Sequence, residues 1–354
     1  MTEPLHVAIL GAGRFGREAH LGNLLQMDDV RVVAASSRSE GSLAQATQLA
    51  GAGLQTFTDW RAALDVDGLD AVVISLINSQ HCEASVAALE AGKHVFCEKP
   101  MALTTADCDR MVAAAAAAGK VLQVGHELRH TRLYQHMKRM VDAGELGDIR
   151  LMWTREFRAP MRLGWRASEQ LTGGALLEKC IHFFDLFNWF FGGAPTTITG
   201  LGGREVVPDR EILDNAFVVL EYPGGRRATL ELCLFAPHGA DVEIGVVGTD
   251  GRLDSFNQAM RLVHHRFSVP DRMEMTVGDV PGESGFVDAA GHVSRGVYAE
   301  LREFVACCRS GGQPAVDGQV GRLGVAVSLA AQEAIRRREV VHLDAAANLV
   351  AANA

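Results

Sequence analysis

The chain has 354 residues, 34 Lys+Arg against 43 Asp+Glu for a net charge of −9, 48% hydrophobic residues and 22% charged. This is an ordinary globular balance, in a chain long enough for two domains and a sizeable core. The acidic balance argues against nucleic acid or an anionic membrane as partner, because no basic excess exists to neutralise phosphates. No apolar run reaches the roughly 18 residues of a membrane span. Seven scattered cysteines with no C-x-x-C read as reduced thiols. The opening "MTEPLHVAILGAG" has no basic segment of a signal peptide, so the expectation is a cytoplasmic protein.

Residues 5–10, "LHVAIL", form an apolar run that suits a strand covered on both faces, and "GAGRFGREAHLGNLL" then opens a helix. Further strands are expected at 30–37, 70–76, 94–98 and 120–125, with helices over "SQHCEASVAALEAG" and "TTADCDRMVAAAAAAG" between them. Such alternation implies βαβ units and a parallel sheet. After about residue 130 the pattern changes to strands at 149–157, 214–235, 241–256 and 260–267. Tight turns join them, among them "YPGGR". Alternation in "RATLELCLF" suggests a sheet with one covered face. The expected class is therefore α/β: an N-terminal Rossmann-type doubly wound parallel sheet over 1–127, then an α+β domain with a largely antiparallel open sheet over 128–345. Two helices, near 294–309 and 317–337, are expected to close the second domain, and 346–354 to form a tail.

Gly11, Gly13 and Gly16 spell G-x-G-x-x-G, with Arg14 and Phe15 between them. The motif follows a strand and opens a helix, the context in which it holds a dinucleotide pyrophosphate. An NAD-binding loop places a carboxylate at the end of the second strand for the ribose 2′-OH. Here that strand ends Ser36-Ser37-Arg38. A serine and an arginine suit a 2′-phosphate, so NADP(H) is the favoured cofactor, with NAD(H) as the alternative if Arg38 only stacks on adenine.

Glu98-Lys99-Pro100 ends a predicted parallel strand, where ligands of such sheets bind. Lys99 there can hold an alcohol oxygen, although from these letters alone a surface lysine before a turn proline is the favoured reading. In "GGALLEKCIHFFDLFNWFFGG", Glu178 and His182 are four apart on an apolar helix. The carboxylate can orient the imidazole, which can accept a hydroxyl proton as hydride leaves the same carbon. A purely structural pair remains the other reading.

With the glycine loop, "HVFCEKP", "GH-LR…GELGDI" and "GWR…GGALLE…H" in this order, the chain resembles the glucose–fructose oxidoreductase/inositol dehydrogenase/rhizopine-catabolism (Gfo/Idh/MocA) family along nearly its whole length. The resemblance implies NAD(P)-dependent oxidation of a secondary alcohol, or reduction of a ketone, on a sugar, cyclitol or related polyol. It implies a homodimer or homotetramer through the open C-terminal sheet, and no metal. It maps catalysis onto Lys99 and His182, with Glu178 where the family usually has aspartate. It assigns cofactor contacts to Leu76, Asn78, His81, Glu98, Lys99, Trp165 and Arg166 beside the glycine loop, Ser37 and Arg38. Leu76 and Ile77 depart from the family's Thr-Pro, so a hydroxyl contact is missing there. His126, Arg129, Arg158 and Lys179 are candidates for the substrate side; Arg158, Arg162 and Lys179 would suit an anionic substrate, though surface charge is the favoured explanation of them. Some relatives of this family oxidise a sugar carbon, cleave and reduce it back, and a cofactor-binding sensor would use the same loop.

"HELRHTRLYQH" contains the zinc-protease pattern H-E-x-x-H at His126 to His130. That chemistry needs both histidines on one helix, one turn apart. His126 follows a strand, the next helix is expected to begin near Thr131, and Leu133 stands where the longer zinc pattern has glycine. The stretch is read as a domain crossing.

Overall fold

The structure, a computed structural model, describes residues 3–236, 241–270, 272–278, 286–287 and 293–350. It divides into two units: residues 1–130, 281–286 and 294–322 in the first, and the remainder in the second.

The first unit is built on a six-stranded parallel sheet: β1 (Leu5–Leu10), β2 (Val30–Ser36), β3 (Gln55–Phe57), β4 (Ala71–Ile74), β5 (His94–Glu98) and β6 (Leu122–Gly125). Their order is β3-β2-β1-β4-β5-β6. The chain reverses its direction of travel across the sheet between β1 and β4, and a crevice at the strand ends there is the general ligand position of doubly wound folds. The inner strands are near-continuous apolar runs because helices cover both faces. Ser39 caps the helix Glu40–Ala50 by accepting from Ser42 N at 3.3 Å. Thr104 caps Thr105–Ala118 by accepting from Asp107 N at 3.1 Å, and Gly119 ends that helix in the left-handed region.

One expectation is corrected here. The helix Val297–Ser310 does not close the second domain. It packs Val297, Leu301, Phe304 and Val305 into the core of the first unit with Val7, Ile9, Val73 and Phe96. Its amphipathic spacing announced a covered face but could not say which core covers it.

The second unit holds a nine-stranded sheet. Its strands are β7 (Ile149–Phe157), β8 (Thr197–Gly203), β9 (Asn215–Tyr222), β10 (Arg226–Cys233), β11 (Asp241–Gly248), β12 (Gly251–Phe256), β13 (Arg261–Arg266), β14 (Arg272–Thr276) and the short Val341–His342. The order is β14-β13-β12-β11-β7-β10-β9-β8 and then Val341–His342. All pairings described are antiparallel except β7 with β10. One face buries Ala216, Val218 and Leu220 with Ala228, Leu230 and Leu232. The helix Ile181–Phe191 belongs to this layer: Tyr222 OH donates to Asn188 Oδ1 at 2.8 Å, and Tyr222 and Phe191 rings are 4.7 Å apart. On the other face Phe217 is 60% and Leu201 65% exposed, an unusual density of apolar side chains for an open sheet.

The expected tail is folded as far as residue 350: Asp344 Oδ1 accepts from Ala346 N and Asn348 N, and Val350 N donates to His342 O. Residues 351–354 lie outside the described residues. Among the described residues no helix is long and apolar enough to cross a membrane.

Candidate active site

In the first unit the glycine loop leaves β1 and is tied to the end of β2, with Gly11 N and Ala12 N donating to Ser36 O at 3.1 and 2.7 Å. The three glycines do different work. Gly11 has φ +100°, and a Cβ there would lie 2.4 Å from the Ser75 carbonyl oxygen. A Cβ on Gly16 would lie 2.3 Å from the Gly11 oxygen. Around Gly13 nothing lies within 4 Å of such an atom. Two glycines are thus required by the fold, while the middle one leaves backbone open for a ligand, the division a pyrophosphate cradle needs. The helix that follows begins as a π turn, Gly16–Leu21, and continues as Gly22–Leu24. Single π turns cluster at functional sites. Arg14 pairs with Glu18 at 3.0 Å on the exposed side of the turn.

Ser37 Oγ accepts from Ser39 N at 3.2 Å. Arg38 is exposed, and among the described residues no hydrogen bond or ion pair engages its guanidinium. Leu76 leads into the short 3-10 turn Asn78–Gln80, where Asn78 is buried. His81 is buried too; its Nδ1 lies 2.8 Å from Pro100 O and its Nε2 3.1 Å from Leu76 O. It therefore braces the segment carrying Lys99 against the segment after β4. Glu98 is turned inward: Oε2 accepts from Lys99 N at 3.1 Å, and Oε1 lies 2.9 Å from Nε2 of the fully buried His20. His20 was not singled out from the sequence. The signal available was a histidine on the apolar side of the glycine-loop helix, which by itself reads as a core residue.

His126 and Arg129 are buried at the exit of β6. His126 directly follows the strand, and His130 ends the 3-10 turn Glu127–His130, with Nε2 2.9 Å from Glu303 Oε2. Burial is the largest influence and opposes ionisation of Glu303, but the hydrogen bond and charge of His130, the Ala315 N–H and the Arg129 charge together hold the carboxyl below its ordinary value. The α-helix starts only at Arg132. The two histidines of H-E-x-x-H therefore share no helix, and a zinc-protease geometry is not formed.

In the second unit Glu178 lies in another π turn, Leu176–Cys180, and His182 is the second residue of the α-helix Ile181–Phe191 that continues it. Phe183, Phe184, Phe187, Phe190 and Phe191 are buried and anchor this helix. Gly174, just before the turn, sits at φ +94°, a backbone conformation that favours glycine. Glu178 is 5% exposed. Arg166 lies in the turn Trp165–Ala167 with its guanidinium 4.4 Å from the Trp165 ring centre. Burial lowers its pKa, opposed by the Glu178 carboxylate and assisted by Arg162. Lys179 occupies the same π turn and is half-buried. Arg158, at the end of β7, is paired with the buried Glu156. The two residues are two positions apart, at i and i+2, and the pairing offsets one of the cations expected to face a substrate.

Among the described residues no disulfide joins any of the seven cysteines; two thiols are raised by burial, Cys82 to about 11 and Cys108 to about 12. They are poor nucleophiles at neutral pH.

Comparison with known proteins gives matches over both units. Residues 5–126 match the oxidoreductase family model with an NAD-binding Rossmann fold, and 138–343 match the same family's C-terminal alpha/beta domain. The chain is 28% identical over 349 residues to a myo-inositol 2-dehydrogenase of Thermotoga maritima, covering 96% of this chain and 99% of that one. It is 27% identical to a scyllo-inositol 2-dehydrogenase (NAD(+)) of Bacillus subtilis, over 97% of this chain and 98% of the relative. The crystal structure of myo-inositol 2-dehydrogenase from Lactobacillus plantarum superimposes with a TM-score of 0.80 at 26% identity, over 97% of this chain and all of that one. A dinucleotide cradle at the switch point of the first sheet and family matches on both units lead to one conclusion: the chain belongs to the Gfo/Idh/MocA family of oxidoreductases.

Proposed function

We propose that the protein is a polyol dehydrogenase that moves hydride between NADP(H) and a secondary alcohol or ketone of an inositol or a closely related sugar. The observation that carries this reading is the glycine loop, closed at Gly11 and Gly16 and open at Gly13, beside the strand end that presents Lys99. When bound, the nicotinamide supplies the hydride acceptor or donor. The backbone N–H groups at the start of the Gly16 helix and the open backbone of Gly13 suit its pyrophosphate. Ser37 and the unengaged Arg38 suit a 2′-phosphate, which favours NADP(H). NAD(H) is the second reading, favoured by the name of the Bacillus subtilis relative.

Lys99 would hold the substrate oxygen and offset negative charge as it develops. His182 would take the hydroxyl proton in oxidation and return it in reduction. Glu178 would orient His182. The family matches and the inositol dehydrogenase relatives support a cyclitol; the pairing of Arg158 with Glu156 argues for a neutral substrate over an anionic one. The exposed Leu201, Phe217 and Val219 support assembly through the open sheet face. The unpaired cysteines support a reducing, cytoplasmic setting.

The test is a screen of inositol isomers, aldoses and their keto forms with each cofactor, followed by NAD(P)H absorbance. Lys99→Ala and His182→Ala should each lower kcat by roughly 10²- to 10⁴-fold with cofactor affinity retained. Unchanged kcat in either variant would refute the role given to that residue.

A further inference from the structure

His20 has no part in the chemistry proposed above, yet it is fully buried directly beneath the residue that bears it. It lies on the π turn that follows the glycine loop, its ring edge-on to Phe15 at 5.1 Å and to Phe96 at 5.5 Å between ring centres. Phe15 belongs to the loop and Phe96 to β5, so the imidazole joins the two. Its Nε2 meets Glu98 Oε1 at 2.9 Å, and the other carboxylate oxygen accepts the Lys99 backbone N–H at 3.1 Å. The opposite strand position is Gly125, where even a Cβ would come within 3.2 Å of Oε1 and 3.1 Å of the Phe96 ring. From the other side His81 braces the Pro100 carbonyl at 2.8 Å.

A buried carboxylate keeps one orientation only if its oxygens are satisfied. We propose that His20 is a positioning residue: through the Glu98 carboxylate it sets the backbone, and hence the ammonium, of Lys99, and so links the cofactor loop to the catalytic lysine. This rests on the reading of Lys99 as the group that touches the substrate oxygen. Removing the imidazole takes away its 2.9 Å contact with Oε1, lets the carboxylate turn, and releases the Lys99 amide. A misplacement of about 1 Å in a positioned group can cost roughly 100-fold in rate.

The test uses His20→Phe, which keeps an aromatic ring but no donor, and His20→Gln, which keeps an N–H near the place of Nε2. The chain has only five lysines, so ¹³C-dimethylated lysine resonances can be assigned with Lys99→Arg as reference. In His20→Phe the Lys99 resonance should move while those of Lys93, Lys120, Lys138 and Lys179 stay, and it should return in His20→Gln. On the polyol found active in the screen, His20→Phe should lower kcat by roughly 10- to 100-fold with cofactor Kd within about threefold of wild type, and His20→Gln should recover most of the loss. Glu98→Gln gives the same readings should His20→Phe fail to fold. An unmoved Lys99 resonance, or kcat unchanged in His20→Phe while Lys99→Ala is impaired, overturns the bracing role alone. Full kcat in Lys99→Ala overturns the reading of Lys99 on which it rests.

Discussion

Gly11 and Gly13 are two letters apart and the structure predicts opposite consequences for the same substitution. In Gly11→Ala the new methyl carbon would lie 2.4 Å from the Ser75 carbonyl oxygen and 2.8 Å from Leu76 N, both backbone atoms that cannot rotate away. The residue would also be held at φ +100°, costing an L-residue on the order of 1–3 kcal/mol. Overpacking adds roughly 1–3 kcal/mol, so the variant should lose about 2–6 kcal/mol. At about 2–4 °C per kcal/mol for a unit of this size, Tm should fall by at least ~4 °C. Gly13→Ala meets nothing within 4 Å, so its Tm should stay within about 2 °C of wild type, as for other unconstrained surface changes. Its methyl instead occupies the open side of the loop, and NAD(P)H should bind at least roughly tenfold more weakly, about 1.4 kcal/mol. Scanning calorimetry and NAD(P)H fluorescence titration of both variants decide the matter. A Gly13→Ala protein that binds either cofactor like wild type, or melts as early as Gly11→Ala, would show the division of roles to be wrong.

Arg38→Ala should lower kcat/KM for NADP by roughly 10- to 100-fold, the worth of one charge-assisted contact, and leave NAD within about threefold. A wild-type preference for NAD, or equal losses with both cofactors, counts against a 2′-phosphate at Arg38. Phe217→Glu places a charge on the open sheet face, at a side chain 60% exposed in the single chain. Sedimentation velocity should show an oligomer for the wild type and a smaller species for the variant, with little change in Tm. A monomeric wild type at micromolar concentration would end the assembly reading.

The parts of this protein that the sequence determined are those in which local residue order carries the physics. β1 is an apolar run interrupted only by His6 because helices cover both of its faces, and Gly11 and Gly16 after it mark where a Cβ would strike backbone. Thr104 and Gly119 mark the ends of a helix because capping is a matter of a few neighbouring residues. Glu178 and His182 are four apart, so any helical turn puts them near one another. The rest needed the chain to be closed on itself. Nothing local says that His130 is engaged by Glu303, or that the helix Val297–Ser310 belongs to the first core. His20 and Glu98 are 78 positions apart and meet only because the glycine-loop helix packs over the end of β5. A buried imidazole in an apolar segment looks the same whether it fills space or holds a carboxylate, and only its tertiary partner tells the two apart.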